Sequence, residues 1–136
     1  MAAGDPPPGR TGWRIDVAPL DAEGGAPLPP RVTIEIARCG IATSGDTFQR
    51  LEINGRRYSH ILDMRTGQPL ADHALITVVG PDCVTASLST TLCILGPIEG
   101  ATLAARWKVA ARWQRQPTPT VEITETPDWK NWLPGN

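Results

Sequence analysis

A continuous run of apolar, mostly β-branched side chains at residues 74–79 constrains the fold more than any other feature. It reads ALITVV, and Gly80 and Pro81 end it. A strand with one solvent-exposed face alternates apolar and polar residues, whereas a strand covered on both faces is apolar nearly throughout. The run therefore predicts a central strand with other elements packed on both of its faces.

The segment after this strand has a helical pattern. Asp82 is suited to cap a helix, because its carboxylate can accept a hydrogen bond from a free N–H of the first turn. We expect the helix to run to about residue 95, where Gly96 and Pro97 end it. A second, short helix is predicted over residues 98–107. Helical spacing predicts a buried stripe on the first helix, formed by Val84, Leu88, Leu92 and Leu95.

Strand patterns fill most of the remaining chain. Asn54-Gly55 separates two such runs, 50–53 and 56–61, and predicts a hairpin because a type I′ turn needs positive φ at both central residues. Alternation predicts four more strands, at 13–17, 31–36, 109–113 and 121–124. The expected fold class is α+β, a mainly antiparallel sheet with two helices on one face.

The length of 136 residues favours one domain, predicted over residues 1–136. Most of the excess of Gly and Pro lies near the ends, so residues 1–12 and 128–136 are expected to be loose flanks. Within the second flank, Trp129 and Trp132 are expected to pack back on the domain, since an exposed apolar tail would be unfavourable.

Bulk properties narrow the range of partners. The formal net charge of -1 gives no reason to expect nucleic acid or an anionic membrane as a partner. No apolar run approaches the ~20 residues of a membrane span, and the first ten residues lack the apolar core of a signal peptide. The compartment is left open between periplasm and cytoplasm. Three cysteines without a CxxC pair favour reduced thiols over a disulfide framework or a zinc site.

Three polar clusters lie between the apolar runs, where binding groups are often found. Residues 43–46, Thr-Ser-Gly-Asp, fit either an ordinary turn or a turn that presents hydroxyl and N–H groups to a diphosphate. His60, three residues before Asp63, fits either a structural histidine or a functional one that acts as a general base, a ligand-orienting donor or a metal ligand. Arg65, Thr66 and Gly67 after it fit a phosphate-contacting loop. The helix hydroxyls at 85, 87 and 89–91, Thr90 among them, fit a structural role by themselves, because they can bond back to carbonyls one turn earlier.

Together these clusters resemble the C-terminal half of the FAD:protein FMN transferase (ApbE) family. The matching motifs follow in order: ATSGD at 42–46, YSHILD at 58–63, RTG at 65–67, the strand at 74–79 and a helix ending LGP at 95–97. Near the start, Ala3-Gly4-Asp5 resembles the end of the family's Gly-Gly-Asp motif, and Trp13-Arg14-Ile15 resembles the strand after it.

The resemblance implies a chemistry and a set of site residues. Family members move the FMN moiety of FAD to a Thr or Ser of a target flavoprotein, release AMP and depend on magnesium. The implied substrate is FAD and the implied partner is an acceptor flavoprotein. Residues implied to bind FAD are Thr43, Ser44, Gly45, His60, Arg65, Thr66 and Gly67. His60 and Asp63 would form the catalytic core, and Thr90 would be a Mg²⁺ ligand.

The chain departs from the family pattern at three points. The family has an Asp one turn before the position of Thr90, but here that position is Ala86. A methyl group cannot coordinate Mg²⁺, so Mg²⁺ binding is expected to be weakened or lost. Met64 stands where the family usually has Pro. Family members are also about twice as long, judged with ordinary domain sizes, so the other half is expected either from a second chain, which would then be a partner, or from sequence upstream of a misassigned start.

Three hypotheses follow from these patterns. The chain is an FMN transferase or one piece of one, a degenerate flavin-binding domain without catalysis, or a subunit-interaction domain without a ligand.

Overall fold

A computed structural model describes residues 2–117 and 119–135. The strands are β1 (Ala2–Ala3), β2 (Trp13–Val17), β3 (Val32–Ile36), β4 (Cys39–Gly45), β5 (Arg50–Ile53), β6 (Arg56–Ser59), β7 (Leu62–Asp63), β8 (Gln68–Pro69), β9 (Ala74–Gly80), β10 (Ala110–Arg115) and β11 (Glu122–Glu125). The helices are α1 (Cys83–Ala86), α2 (Ser89–Trp107) and a C-terminal 3₁₀ helix (Pro127–Trp132).

Strand β9 is the middle of a five-stranded antiparallel sheet with the order β1-β4-β9-β10-β11. Each of its residues is buried. Val78 lies opposite Ala42 of β4 on one side and opposite Ala111 of β10 on the other. The prediction of a central strand covered on both faces is confirmed, and so is the α+β, mainly antiparallel fold class.

Helix α2 covers one face of this sheet. Ile76, Val78 and Trp113 of the sheet pack with Leu92 and other buried residues of the helix. The Trp113 indole Nε1 donates to the Leu92 carbonyl at 3.0 Å, so the bulky ring is buried with its polar group satisfied. This face carries both helices, as the sequence predicts.

The opposite face of the sheet is covered by the β2–β3 hairpin and the C-terminal 3₁₀ helix. Trp129 is fully buried in this second cluster and Trp132 packs against it, which confirms the expected packing of the two rings. The predicted loose flanks are corrected here. Within residues 128–136, a 3₁₀ helix docks through Trp129. Within residues 1–12, β1 pairs with the start of β4.

The helical segment differs from its prediction in two ways. The predicted helix over 82–95 is divided into α1 and α2, although Asp82 caps its start as expected by accepting from Thr85 N. The backbone breaks at Gly96, with φ 69 and ψ -179, close to the predicted end. The predicted stripe is wrong at Val84, which is 81% exposed. Small residues face the sheet instead: Ala86, Ser89, Cys93 and Gly96 are buried beside Leu92.

Close backbone approach explains why small residues were selected there. A Cβ added at Gly40 would lie 2.3 Å from the Asp82 carbonyl oxygen, so the start of α1 touches the sheet backbone directly. At such a separation, large apolar side chains have no room between helix and sheet.

The Asn-Gly hairpin forms as predicted. Asn54 and Gly55 both have positive φ, 51 and 73, and they join β5 to β6 in a two-stranded ribbon of its own. Strand β6 ends at Ser59, so His60 is the first residue beyond it. None of the described helices is long and apolar enough to cross a membrane.

Candidate functional site

A cluster of three hydroxyls joins the sheet to helix α2. Ser44 Oγ lies 2.8 Å from Ser89 Oγ and 3.0 Å from Thr90 Oγ1. The cluster exists because Ser44 faces α2 from the end of β4, while Ser89 and Thr90 start the first turn of that helix. Two residues predicted for different roles, Ser44 for FAD and Thr90 for a metal, are therefore in direct contact.

Residues 43–45 form the end of a strand, which corrects the predicted turn. Thr43, Ser44 and Gly45 pair with Thr77, Ile76 and Leu75 of β9. The next N–H, that of Asp46, donates to the Ala74 carbonyl at 3.1 Å. Because the sheet uses this donor, the segment offers a diphosphate side-chain hydroxyls rather than a ring of free N–H groups. Thr43 itself bonds to Thr77, with 2.9 Å between their hydroxyl oxygens.

His60 lines a cavity of about 780 Å³ beside the β5–β6 hairpin. Its Nδ1 lies 2.9 Å from the Gln49 carbonyl oxygen, so Nδ1 is the protonated nitrogen when the ring is neutral and Nε2 then carries a lone pair. The side chain is exposed. The other residues that line the cavity are apolar or aromatic (Leu51, Ile53, Tyr58 and Pro69) and polar (Gln49, Arg50, Ser59 and Gln68).

Asp63 organises the loop between β7 and β8. Its carboxylate accepts from the Arg65 backbone N–H at 2.9 Å and from the Arg65 guanidinium at 2.8 Å. These hydrogen bonds, that of the guanidinium first, lower the pKa of Asp63, so the group is an anion at neutral pH. Thr66 N and Gly67 N donate to the Asp63 carbonyl, and Gly67 takes a φ of 70 that favours glycine. Asp63, Arg65, Thr66 and Gly67 are thus one folded unit, while His60 bonds elsewhere.

The donor set around Thr90 does not fit Mg²⁺. Its hydroxyl neighbours, Ser44 and Ser89, are neutral, and Mg²⁺ is usually bound through at least one carboxylate. Ala86 is fully buried. Over residues 2–117 and 119–135, no three His, Cys, Asp or Glu side chains come together in a way that could hold a metal ion.

A buried charge network lies next to these elements and was missed as a unit from the sequence. Asp46 is 1% exposed and His73 6%. The His73 Nδ1 lies 2.8 Å from Asp46 Oδ1, and the Arg57 Nε donates to Asp46 Oδ2 at 2.5 Å. Arg57 belongs to β6, so the network ties the hairpin to the start of β9. The available sequence signal was a charged residue, Asp46, directly after a buried strand, but its partners are distant in sequence.

Comparison with known proteins identifies what this arrangement resembles. The model of the ApbE family matches residues 1–113. The FAD:protein FMN transferase of Escherichia coli K12 is 29% identical over 125 residues, which cover 89% of this chain and 34% of that protein.

Two solved structures have a similar fold. The apo flavinyl transferase ApbE of Pseudomonas stutzeri has a TM-score of 0.69 and 33% identity, and the match covers 92% of this chain and 38% of that one. The flavin transferase ApbE of Vibrio cholerae has a TM-score of 0.70 and 28% identity, covering 90% of this chain and 38% of that one. The present chain thus spans about a third of the length of the curated relative from Escherichia coli.

Proposed function

The chain belongs to the ApbE family, and from this premise we propose that it forms the flavin-binding part of an FAD:protein FMN transferase. The proposed reaction moves FMN from FAD to a Thr or Ser hydroxyl of an acceptor flavoprotein, with AMP as the leaving group. The relatives that support this proposal are longer proteins, and their activity is carried over to this chain as a hypothesis.

The observation that carries the proposal is the cavity beside His60. A flavin ring is planar and largely apolar, and Leu51, Ile53 and Tyr58 offer it an apolar and aromatic wall. Arg50 and His60 at the same cavity are groups that can contact the polar edge or the phosphates of FAD.

Within this proposal the predicted residues have distinct tasks. Nε2 of neutral His60 is suited to accept the proton of the acceptor hydroxyl, because Nδ1 is held by the Gln49 carbonyl. Asp63 is assigned to orienting Arg65, whose guanidinium it contacts through both carboxylate oxygens. Arg65, Thr66 and Gly67 then present a cation and a hydroxyl to the diphosphate, and Ser44 contributes a hydroxyl from β4. The Thr43 hydroxyl bonds to Thr77 on the other face of the sheet and is assigned to holding the strand.

Magnesium is the point at which the residues and the family's chemistry disagree. The hydroxyl of Thr90 is present, but a methyl group occupies position 86. Weakened or absent Mg²⁺ binding is therefore part of the proposal. This observation favours a second candidate function, a flavin-binding domain that does not catalyse transfer.

Two measurements on the same protein separate these functions. Titration of FAD with the purified chain, followed by flavin fluorescence, tests binding; incubation with FAD, Mg²⁺ and an acceptor flavoprotein, followed by in-gel flavin fluorescence, tests transfer. His60→Ala should weaken binding roughly tenfold, equal to ~1.4 kcal/mol, whereas Glu122→Gln on the exposed strand β11 should leave it unchanged.

Each outcome points to one function. Binding with covalent flavin on the acceptor supports the transferase, and binding without it supports the non-catalytic domain. No change in flavin fluorescence at micromolar protein contradicts both. A second chain that completes the site remains a prediction, tested by whether its addition restores transfer.

A further inference from the structure

His73 is placed between acceptors on both sides of its ring. Nδ1 lies 2.8 Å from a carboxylate oxygen of Asp46, and Nε2 lies 2.9 Å from the Asp21 carbonyl oxygen. A carboxylate and a carbonyl can only accept, so each hydrogen bond needs a proton on the histidine nitrogen. Both bonds form together only when His73 is the charged imidazolium.

Asp46 is the second buried member of this pair. Besides His73, its carboxylate accepts from the Arg57 guanidinium and from the Ala74 backbone N–H, at 2.5 and 3.1 Å. The backbone of Asp46 is held as well, since the Arg57 Nη2 donates to its carbonyl oxygen at 2.9 Å and its own N–H donates to the Ala74 carbonyl at 3.1 Å. A neutral His73 with its proton on Nδ1 keeps the bond to Asp46, so deprotonation removes the Nε2 proton. The lone pair of Nε2 then faces the Asp21 carbonyl and carboxylate oxygens, which is unfavourable in a site of low dielectric.

Arg57 connects the Asp46–His73 pair to the β5–β6 hairpin. The residue lies in β6, three positions before His60, and its side chain is 10% exposed. It also contacts Glu23 and, at 3.6 Å, Asp21 of the loop between β2 and β3. The Asp21 carboxylate oxygen Oδ1 lies 3.0 Å from His73 Nε2 and is buried without a hydrogen bond of its own. A positively charged His73 thus faces two carboxylates, that of Asp46 after β4 and that of Asp21 in the loop between β2 and β3.

The pKa shifts of His73 and Asp46 have the directions that this geometry requires. Burial opposes the charge on His73, but the hydrogen bonds to Asp46 and Asp21 outweigh it and raise the pKa of His73 above 6.5. Burial likewise opposes the charge on Asp46, but its bonds to His73 and Arg57 lower its pKa below 3.8. The His73 contribution is complete below its unfolded-state pKa and is lost as pH rises through the folded-state pKa. The Asp46 contribution is lost only as pH falls through its depressed pKa.

We propose that His73 is a positioning residue for the flavin cavity: in its imidazolium form it holds Asp21 and Asp46, the two carboxylates that pair with Arg50 and Arg57 of the β5–β6 hairpin. The inference rests on the proposed function, because it states what controls the affinity of the same cavity. Deprotonation of His73 frees Asp21, so Arg50 and Arg57 lose part of the anchor of the hairpin, and the cavity wall formed by Leu51, Ile53 and Tyr58 loses its fixed position. FAD binding therefore weakens as pH rises.

The first test needs no ligand. The chain has two histidines, so NMR titration of the imidazole protons, assigned with a His60→Gln variant, gives the pKa of His73 directly. Hydrogen exchange of the amides at residues 50–59, corrected for the intrinsic effect of pH, follows the hairpin. We expect His73 to titrate above 6.5 and the hairpin amides to lose protection over the same pH range. A pKa at or below 6.5, or protection that is unchanged across the titration, overturns the proposal.

The second test follows FAD affinity against pH in the wild type, in His73→Gln and in a control, Glu122→Gln. Glu122 is exposed on β11 and does not line the cavity. We expect wild-type affinity to fall roughly tenfold, or ~1.4 kcal/mol, as His73 deprotonates, and His73→Gln to bind weakly at every pH. Both proteins keep His60, so the difference between their profiles isolates His73.

A His73→Gln profile that matches the wild type would refute the positioning role. If His73→Gln does not fold, the wild-type titration and exchange data still decide the question. If FAD binds at no pH, the proposed function fails while the ligand-free test continues to report on the hairpin.

Discussion

Ser44 Oγ and Thr90 Oγ1 lie 3.0 Å apart, a hydrogen bond between the end of a core strand and the first turn of helix α2. The two residues are 46 positions apart in the sequence. Because Ser44 also contacts Ser89 at 2.8 Å, the hydroxyl of Ser44 is the centre of a small shared network. The conformation of the Thr90 hydroxyl is thus set by β4 as well as by its own helix.

Removal of either hydroxyl should show this coupling. Thr90→Val and Ser44→Ala should each lower the free energy of unfolding by about 0.5–1.5 kcal/mol, the usual net value of one hydrogen bond. The double variant should cost less than the sum of the two, because both remove the same contact. Urea denaturation measures all three, and Thr91→Val, at an exposed neighbouring position, is the control. Strict additivity would show that the contact contributes nothing to stability.

Ala86→Asp tests whether position 86 limits metal binding. Ala86 is fully buried, so an aspartate there should lower the free energy of unfolding by about 3–5 kcal/mol, the effect of a buried charge without a partner. Added MgCl₂ should recover part of this loss in a thermal unfolding assay, whereas Ala86→Asn, which has the same shape without the charge, should show no recovery. A wild-type chain whose melting temperature already rises with Mg²⁺ would contradict the expected loss of metal binding.

Gly40→Ala tests the contact between helix α1 and the sheet. The new Cβ would lie 2.3 Å from the Asp82 carbonyl oxygen and 2.6 Å from the Cys83 nitrogen. Since both are backbone atoms, the helix must move, and we expect a loss of about 1–3 kcal/mol in the free energy of unfolding. Gly4→Ala is the matched control, because nothing lies within 4 Å of its added Cβ. Equal stability of the two variants would show that α1 is not held against β4.

The three cysteines should differ sharply in reactivity. Burial raises the pKa of Cys93 to about 12 and also raises that of Cys39, so at pH 8 only roughly one Cys93 in ten thousand is the reactive thiolate. Cys83 is exposed. An Ellman titration of the native protein should show one fast thiol, which Cys83→Ser removes, and three thiols in denaturant. More than one fast thiol in the native protein would mean that the cores of the sheet open readily.

Patterns that depend on neighbouring residues were predicted well from the sequence. The continuous run of β9 and the Asn54-Gly55 turn each have one local physical cause, burial on both faces and positive φ. The helical stripe failed because the choice of residue facing the sheet is set by the approach of Gly40, which is far away in the sequence. A local pattern assigns Val84 to the core, while the close approach of α1 to Gly40 leaves no room there for a large side chain.

The candidate site likewise has one part that could be predicted from the sequence and one part that could not. The loop that Asp63 organises is local, and its residues could be grouped from spacing alone. His73 and Asp46 are 27 positions apart, and their pairing depends on the register of β9 against β4. Charge and spacing carry no information about that register, so the buried network could be recognised only once the sheet was known.

The position of β9 between β4 and β10 also determines when the fold can be completed. Its two hydrogen-bonding partners lie about 30 residues away on either side, and pairing over such distances is slow because long loops must close first. During synthesis β9 leaves the ribosome before β10, so its apolar edge has no partner for a time. We therefore expect this exposed edge to make the chain prone to aggregation while it is being synthesised.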